Sequence, residues 1–412
     1  MKKVRIKKWV WFVFVFLLIG IIVWFLFFHK DETVMKDLSS FHETEIKKYA
    51  EDLGLQLELS YEYHDTIEAG KVISQSIEAG TKIEDNMNLK VVLSLGKLDE
   101  EALREAGVNE MGKVPIMMYH GIHNLKNEDT DYIGGNVDKD GYQRTAEAFR
   151  NDLEMYYQNG YRMIRLNDYV DGIVDVPFGK SPIVLTFDDG LKNNILVTGV
   201  DENGEIIIDP NSAVGILEEF KKKYPDFGVT ATFFINGGLF EQPEYNEQIL
   251  EYLIEHGYDI GNHTYTHPDF TRISYDTAVT EVGKMYVLLE QYLKDQYVPI
   301  MALPYGSPYK KTHDNFSAIL SGTYDEVSYQ TKATLQVGWE SNVSPFSKNF
   351  DPQFIKRIRA YDNDGTEFDI AYCFEALKKN RYISDGNKNQ ITIPEENLSY
   401  VSENVTLSIV TY

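Results

Sequence analysis

The chain has 412 residues, enough for more than one domain at ~100 to 200 residues each. It carries 64 acidic against 40 basic side chains, a formal net charge of -24. Nucleic-acid affinity comes from Lys and Arg neutralising phosphates, so nucleic acid is excluded as the main partner. The single cysteine, Cys373, excludes an internal disulfide framework and a multi-thiolate metal site, so any metal must be held by His and carboxylate.

The N-terminus reads as a membrane anchor. "MKKVRIKK", residues 1–8, sets five positive charges before twenty uncharged residues, "WVWFVFVFLLIGIIVWFLFF", residues 9–28. That length matches the ~20 residues a helix needs to cross ~30 Å of hydrocarbon. A cleaved signal peptide fits less well, because its apolar region is ~7 to 15 residues and ends in small residues, whereas this one ends in Trp24, Phe25, Leu26, Phe27 and Phe28. The basic flank keeps residues 1–8 in the cytoplasm and sends the rest across. The expectation is a single-pass cell-membrane protein whose body is extracytoplasmic.

A small α+β domain follows. "ETEIKKYAEDLG" places Ile46, Tyr49, Ala50 and Leu53 on one helical face and ends at Gly54. "LQLELSYEY", "KVISQS" and "LKVVLSL" then read as three strands. The segment 34–97 resembles a PASTA domain, with Gly70, Val72, Gln75 and Gly80 in that family's spacing and Ser94-Leu95-Gly96 at its close. It departs from the family at Val34-Met35, where Val-Pro is usual, and at Ile77, where Pro is usual. The resemblance implies a spacer or binder facing cell-wall peptidoglycan.

Residues 98–113 read as an acidic linker. From Val114, strand-length apolar runs alternate with amphipathic helical segments, among them "EAFRNDLEMYYQNGY", "AVGILEEFKKK", "NEQILEYLIEHG" and "YDTAVTEVGKMYVLLEQYLK". Alternating β and α implies a mainly parallel sheet, open or closed into a barrel, with its sites at the C-terminal strand ends. Four apolar runs end in polar chemistry: "PIMMY" in His120, "PIVLTF" in Asp188-Asp189-Gly190, "YDIGN" in His263 with His267 four residues on, and "PIMAL" in Pro304-Tyr305-Gly306. One carboxylate and two imidazoles make a three-ligand set that leaves a divalent ion such as Zn²⁺ an open position for water. Adjacent carboxylates at a buried strand end are costly unless a metal takes one and leaves its neighbour free as a base. Within the insertion 196–210, Asn203-Gly204 between two apolar stretches predicts a hairpin.

Together "TFDDG" and "HTYTH" resemble the motifs of the polysaccharide deacetylases, the NodB-homology or carbohydrate esterase family 4 enzymes, over residues 114–395. The resemblance implies a distorted (β/α) barrel and a metal-dependent hydrolase that removes N-acetyl groups from a glycan polymer. By it Asp188 is the general base, Asp189, His263 and His267 hold the metal, foremost Zn²⁺, and the backbone N–H of Tyr305 in "LPYG" stabilises the oxyanion. Ala302 stands where the family commonly has the Arg that orients the base, and Arg357 or Arg359 is the expected substitute. No Leu-x-x-His element supplies an acid near the C-terminus, since the last histidine is His313. "MMYHGI" resembles the Met-Tyr-His element of the poly-N-acetylglucosamine-deacetylase branch, and makes His120 the expected general acid. Peptidoglycan is the expected glycan partner, with poly-N-acetylglucosamine, an O-acetylated glycan, or a degenerate wall-binding role as alternatives. Residues 396–412 read as a C-terminal tail.

Overall fold

The computed structural model describes residues 33–64, 66–83 and 87–412. The expected membrane-spanning helix, 9–28, lies outside them, and among the described residues no helix is long and apolar enough to cross a membrane. The chain divides into two compact units, Met1–Asp99 and Glu100–Tyr412.

In the first unit the predicted helix runs Glu43–Asp52, with Glu45 accepting from the His42 backbone N–H at its start (2.8 Å) and Ile46 and Ala50 buried. Its three strands form one sheet with Asn88–Ser94 in the centre, parallel to Gln56–Glu62 and antiparallel to Val72–Gln75. The motif residue Gln75 has a structural task. Its amide accepts from Leu38 N (2.8 Å) and donates to Lys36 O (3.0 Å) and Ile77 O (2.6 Å), clamping the entering chain to the sheet.

The second unit is built around parallel strands. Their order is Ala333–Leu335, Ile300–Ala302, Asp259–Asn262, Thr232–Ile235, Ser181–Phe187, Ile116–Tyr119 and Ile358–Arg359, with Tyr161–Met163 also pairing beside Ser181–Phe187. Strands covered on both faces carry near-continuous apolar sequence, and every residue of Ser181–Phe187 and Ile116–Tyr119 is buried. The sheet curls until its edges meet. Ile355 bridges Leu335 on one side, through Gln336 N to Ile355 O (2.8 Å) and Ile355 N to Thr334 O (2.9 Å), while Ile358–Arg359 pairs with Met117 and Met118 on the other. The result is a strongly curved, mainly parallel half-barrel sheet, consistent with the expected (β/α) architecture.

The four predicted amphipathic segments are the helices Ala146–Gln158, Ala213–Lys223, Asn246–Glu255 and Tyr275–Leu293. Three are capped by a hydroxyl accepting from a first-turn N–H: Thr145 from Ala148, Ser212 from Gly215, and Ser274 from Thr277. The insertion is a hairpin, Val197–Val200 against Ile206–Ile208.

Most of the stretch read as a linker, and the stretch read as a C-terminal tail, contribute structure to this unit. Within 98–113, Glu100–Ala106 is helical and Leu103, Val108 and Glu110 are buried. Within 396–412, Ser408–Thr411 pairs in parallel with Gln390–Ile393, and the Tyr412 hydroxyl donates to Val108 O. In 98–113 a few apolar residues among many charges suffice for docking, and in 396–412 the one strand is only four residues long.

Candidate metal and catalytic site

The strand Ser181–Phe187 delivers Asp188 and Asp189 at its C-terminal end, the adjacent Ile116–Tyr119 delivers His120, and Asp259–Asn262, two strands away on the other side, delivers His263. Asp189, His263 and His267 converge, one ligand atom from each lying within 4.8 Å of the others. Nε2 of His263 is 3.2 Å and Nε2 of His267 is 3.4 Å from the same Asp189 oxygen, Oδ1.

The hydrogen bonding of His263 shows that these atoms fit a cation. Its Nδ1 donates to the Ala302 carbonyl (2.9 Å), which leaves the lone pair on Nε2. That nitrogen is buried without a hydrogen-bond partner and faces a carboxylate oxygen. Two lone pairs held this close call for a positive charge between them. His267 is held in a left-handed conformation (φ 60°), as are Asp189 (φ 75°), Thr264 (φ 64°) and Tyr305 (φ 59°). Each such non-glycine residue costs on the order of 1 to 3 kcal/mol, and such strain concentrates where the surrounding fold holds a site in shape. Pro268 had pointed to a loop for His267, and the structure places it there with φ positive rather than extended.

Asp188 points elsewhere. Arg357 grips it in a bidentate pair, Nη1 to Oδ1 and Nη2 to Oδ2, both at 2.7 Å, and both residues are fully buried. Arg357 also donates to Gln336 O (2.8 Å) and Thr186 Oγ1 (3.1 Å), so the buried pair is well supplied with partners. Burial pushes the Asp188 carboxyl up, but Arg357, with His263, outweighs it and holds it below the usual range. Burial likewise raises Asp189, and the close approach of His263, with His120 and His267, brings it well below.

His120 lies partly buried within the same field. Burial lowers its pKa, only partly offset by the Asp188 and Asp189 charges. Its Nδ1 is shielded and without a partner, its ring meets Tyr142 edge-on at 5.0 Å, and its carbonyl accepts from Asn194 (2.7 Å). Its neighbours Met117, Met118 and Tyr119 are buried packing residues. His123, read as a loop residue, sits in the short strand Ile122–His123 and meets Gln143 at 3.1 Å. The Tyr305 ring packs edge-on against His267 at 4.7 Å and is largely exposed. The sequence offered no sign of the Ala302 carbonyl, a backbone group, or of Tyr142, an aromatic without motif spacing.

Residues 175–319 match the family model described as polysaccharide deacetylase, and residues 33–95 match the PASTA domain. The stretch 175–319 thus carries the polysaccharide deacetylase match. The expected enzyme class, a hydrolase of N-acetyl amide bonds on glycans, agrees with this match. A peptidoglycan-N-acetylglucosamine deacetylase of Bacillus cereus is 29% identical over 131 residues, 32% of this chain and 38% of that protein. The chain thus spans well under half the length of that curated relative. Among solved structures, the Streptococcus pyogenes deacetylase PplD in complex with acetate aligns over 64% of this chain and 98% of its own, at 19% identity and a TM-score of 0.45. A de-N-acetylase from Aggregatibacter actinomycetemcomitans aligns over 60% and 94%, at 14% identity and a TM-score of 0.39.

Proposed function

We propose that this protein is a metal-dependent deacetylase that removes N-acetyl groups from N-acetylglucosamine residues of a cell-wall glycan, peptidoglycan foremost. The observation that carries this reading is the pairing of two differently treated carboxylates. Asp189 shares an oxygen with two imidazole nitrogens, and Asp188 is held ionised by a guanidinium.

Asp189, His263 and His267 would hold a divalent ion, with Zn²⁺ the best match to one carboxylate and two imidazoles. When bound, such an ion supplies Lewis acidity toward an acyl oxygen and lowers the pKa of a water. Asp188 takes the proton of the attacking water as general base, and Arg357 positions it and keeps it charged. The backbone N–H of Tyr305 would stabilise the developing oxyanion, as the "LPYG" resemblance implies. His120, at the end of the strand beside that of Asp188 and outside the ligand set, delivers a proton to the leaving nitrogen. An amine leaves poorly without it, an effect worth ~10² to 10⁴ in rate. Acetate and a free amino sugar are the products.

The basic and apolar N-terminus supports a single-pass anchor with the catalytic domain outside the membrane, and the PASTA domain supports a wall-facing orientation. The "MMYHGI" element favours poly-N-acetylglucosamine as a second substrate reading. Acetate release by the full chain from chitooligosaccharide, isolated cell wall and acetyl xylan, assayed side by side, tests these readings. Release from the first two supports N-deacetylation, release from acetyl xylan alone replaces it with ester cleavage, and none from any with metal fully loaded leaves a degenerate binder.

A further inference from the structure

Arg359 stands two residues beyond Arg357, and alternation along an extended strand turns both toward the same face. Arg357 spends its charge on Asp188. Arg359 has no such outlet. It is only 8% exposed, yet no carboxylate pairs with it among the described residues and its Nε is buried without a hydrogen-bond partner. Three aromatic rings surround it instead, those of Tyr142, Trp339 and Tyr361, at 4.8, 4.5 and 4.5 Å from Cζ.

Ring faces attract a cation, but they do not satisfy guanidinium donors, which are shaped for the two oxygens of a carboxylate or phosphate. A buried, unpaired charge is otherwise a liability that folds avoid. Its location suggests why this one is kept. Tyr142, which covers Arg359, also meets the His120 ring, and Arg359 itself pairs in register with Met118, two residues before His120. Trp339 and Phe368, packed at 4.8 Å, are both substantially exposed beside it and offer flat apolar surface of the kind a sugar ring covers.

We infer that Arg359 and its aromatic surround form an anion-recognising subsite next to the metal centre, which takes a carboxylate or phosphate borne on the sugar beside the reacting N-acetyl group. The inference rests on the deacetylase reading and narrows its substrate to an anionic glycan. On a chain of net charge -24, one shielded guanidinium gives such a substrate a local attraction that the rest of the surface denies it.

Two measurements on the full chain test it. The first is kcat/KM for acetate release from neutral chitotetraose and from peptidoglycan strands freed of peptide, whose muramic acids carry free carboxylates. Wild type should prefer the anionic strand, and Arg359→Gln should lower that preference tenfold or more through KM, with Arg359→Lys between. An equal loss on both substrates, or none on either, would overturn the proposal and leave Arg359 a packing residue. The second is calorimetric binding of N-acetylglucosamine, N-acetylmuramic acid and N-acetylglucosamine 1-phosphate, which needs no turnover and so stands if the deacetylase reading fails. Tighter binding of either anionic sugar by wild type, weakened in Arg359→Gln, supports the subsite and tells carboxylate from phosphate. Equal binding of all three sugars contradicts it.

Discussion

At the scale of single residues, the proposed chemistry turns on the buried pair of Asp188 and Arg357. Removing one partner of a buried ion pair strands the other and costs about 3 to 5 kcal/mol. Arg357→Ala should therefore destabilise the barrel and release the Asp188 carboxyl to rise under burial. A depressed carboxylate pKa contributes stability above the unfolded value near 3.8 and loses it as pH falls. The variant should lose activity at a higher pH on the acid limb, with turnover down ~10²-fold or more. A pH–rate profile superimposable on wild type would contradict this. His120→Ala should keep metal content and melting temperature while lowering kcat by ~10² to 10⁴; near-normal turnover would make His120 a packing residue. The sequence pointed to Asp188, Asp189, His263 and His267, which the fold brings to one place, because metal chemistry restricts residue type and strand ends restrict position. Arg357 was legible only as one of two candidates, since its partner lies 169 positions away and no local spacing records that pairing.

Among the elements, the helices and most strands followed from periodicity, and the joining of the sheet's edges did not. The closing strand is two residues long, Ile358–Arg359, too short for alternation to register. The segment 100–113 was hidden by its charge and 396–412 by the shortness of its one strand, and Glu110 shows how the first is fastened. Its carboxyl accepts from Thr392 N (2.8 Å) and meets Ser384 Oγ (3.0 Å), tying the entry of the unit to its last strands. Burial, with the nearby Asp385 charge, pushes its pKa up to about 8. A raised carboxyl pKa means the folded state keeps a proton the unfolded chain has lost, so this contribution is complete below the unfolded value near 4.5 and declines as pH climbs to about 8. The decline amounts to several kcal/mol at ~1.4 kcal/mol for each tenfold change in proton affinity. Denaturant titrations between pH 5 and 8 should show it in wild type and a flatter trend in Glu110→Gln. Parallel trends would mean that Glu110 is charged in the fold.

For the whole molecule, the two units carry separate cores, so the second should fold without the first. A fragment of residues 100–412 should melt cooperatively and release acetate from chitotetraose, whereas one of residues 114–412 lacks Leu103, Val108 and Glu110 and should melt lower. Equal melting of the two fragments would deny the docking of 100–113. The central claim is that Asp189 helps to hold a metal beside Asp188, which acts as the base. It is tested most directly by measuring metal content and acetate release together, on an N-acetylglucosamine polymer, for wild type, Asp188→Asn and Asp189→Asn. The account predicts one metal per chain and acetate from wild type, metal without acetate from Asp188→Asn, and neither from Asp189→Asn. Undiminished acetate release by Asp188→Asn, or full metal content in Asp189→Asn, would contradict it.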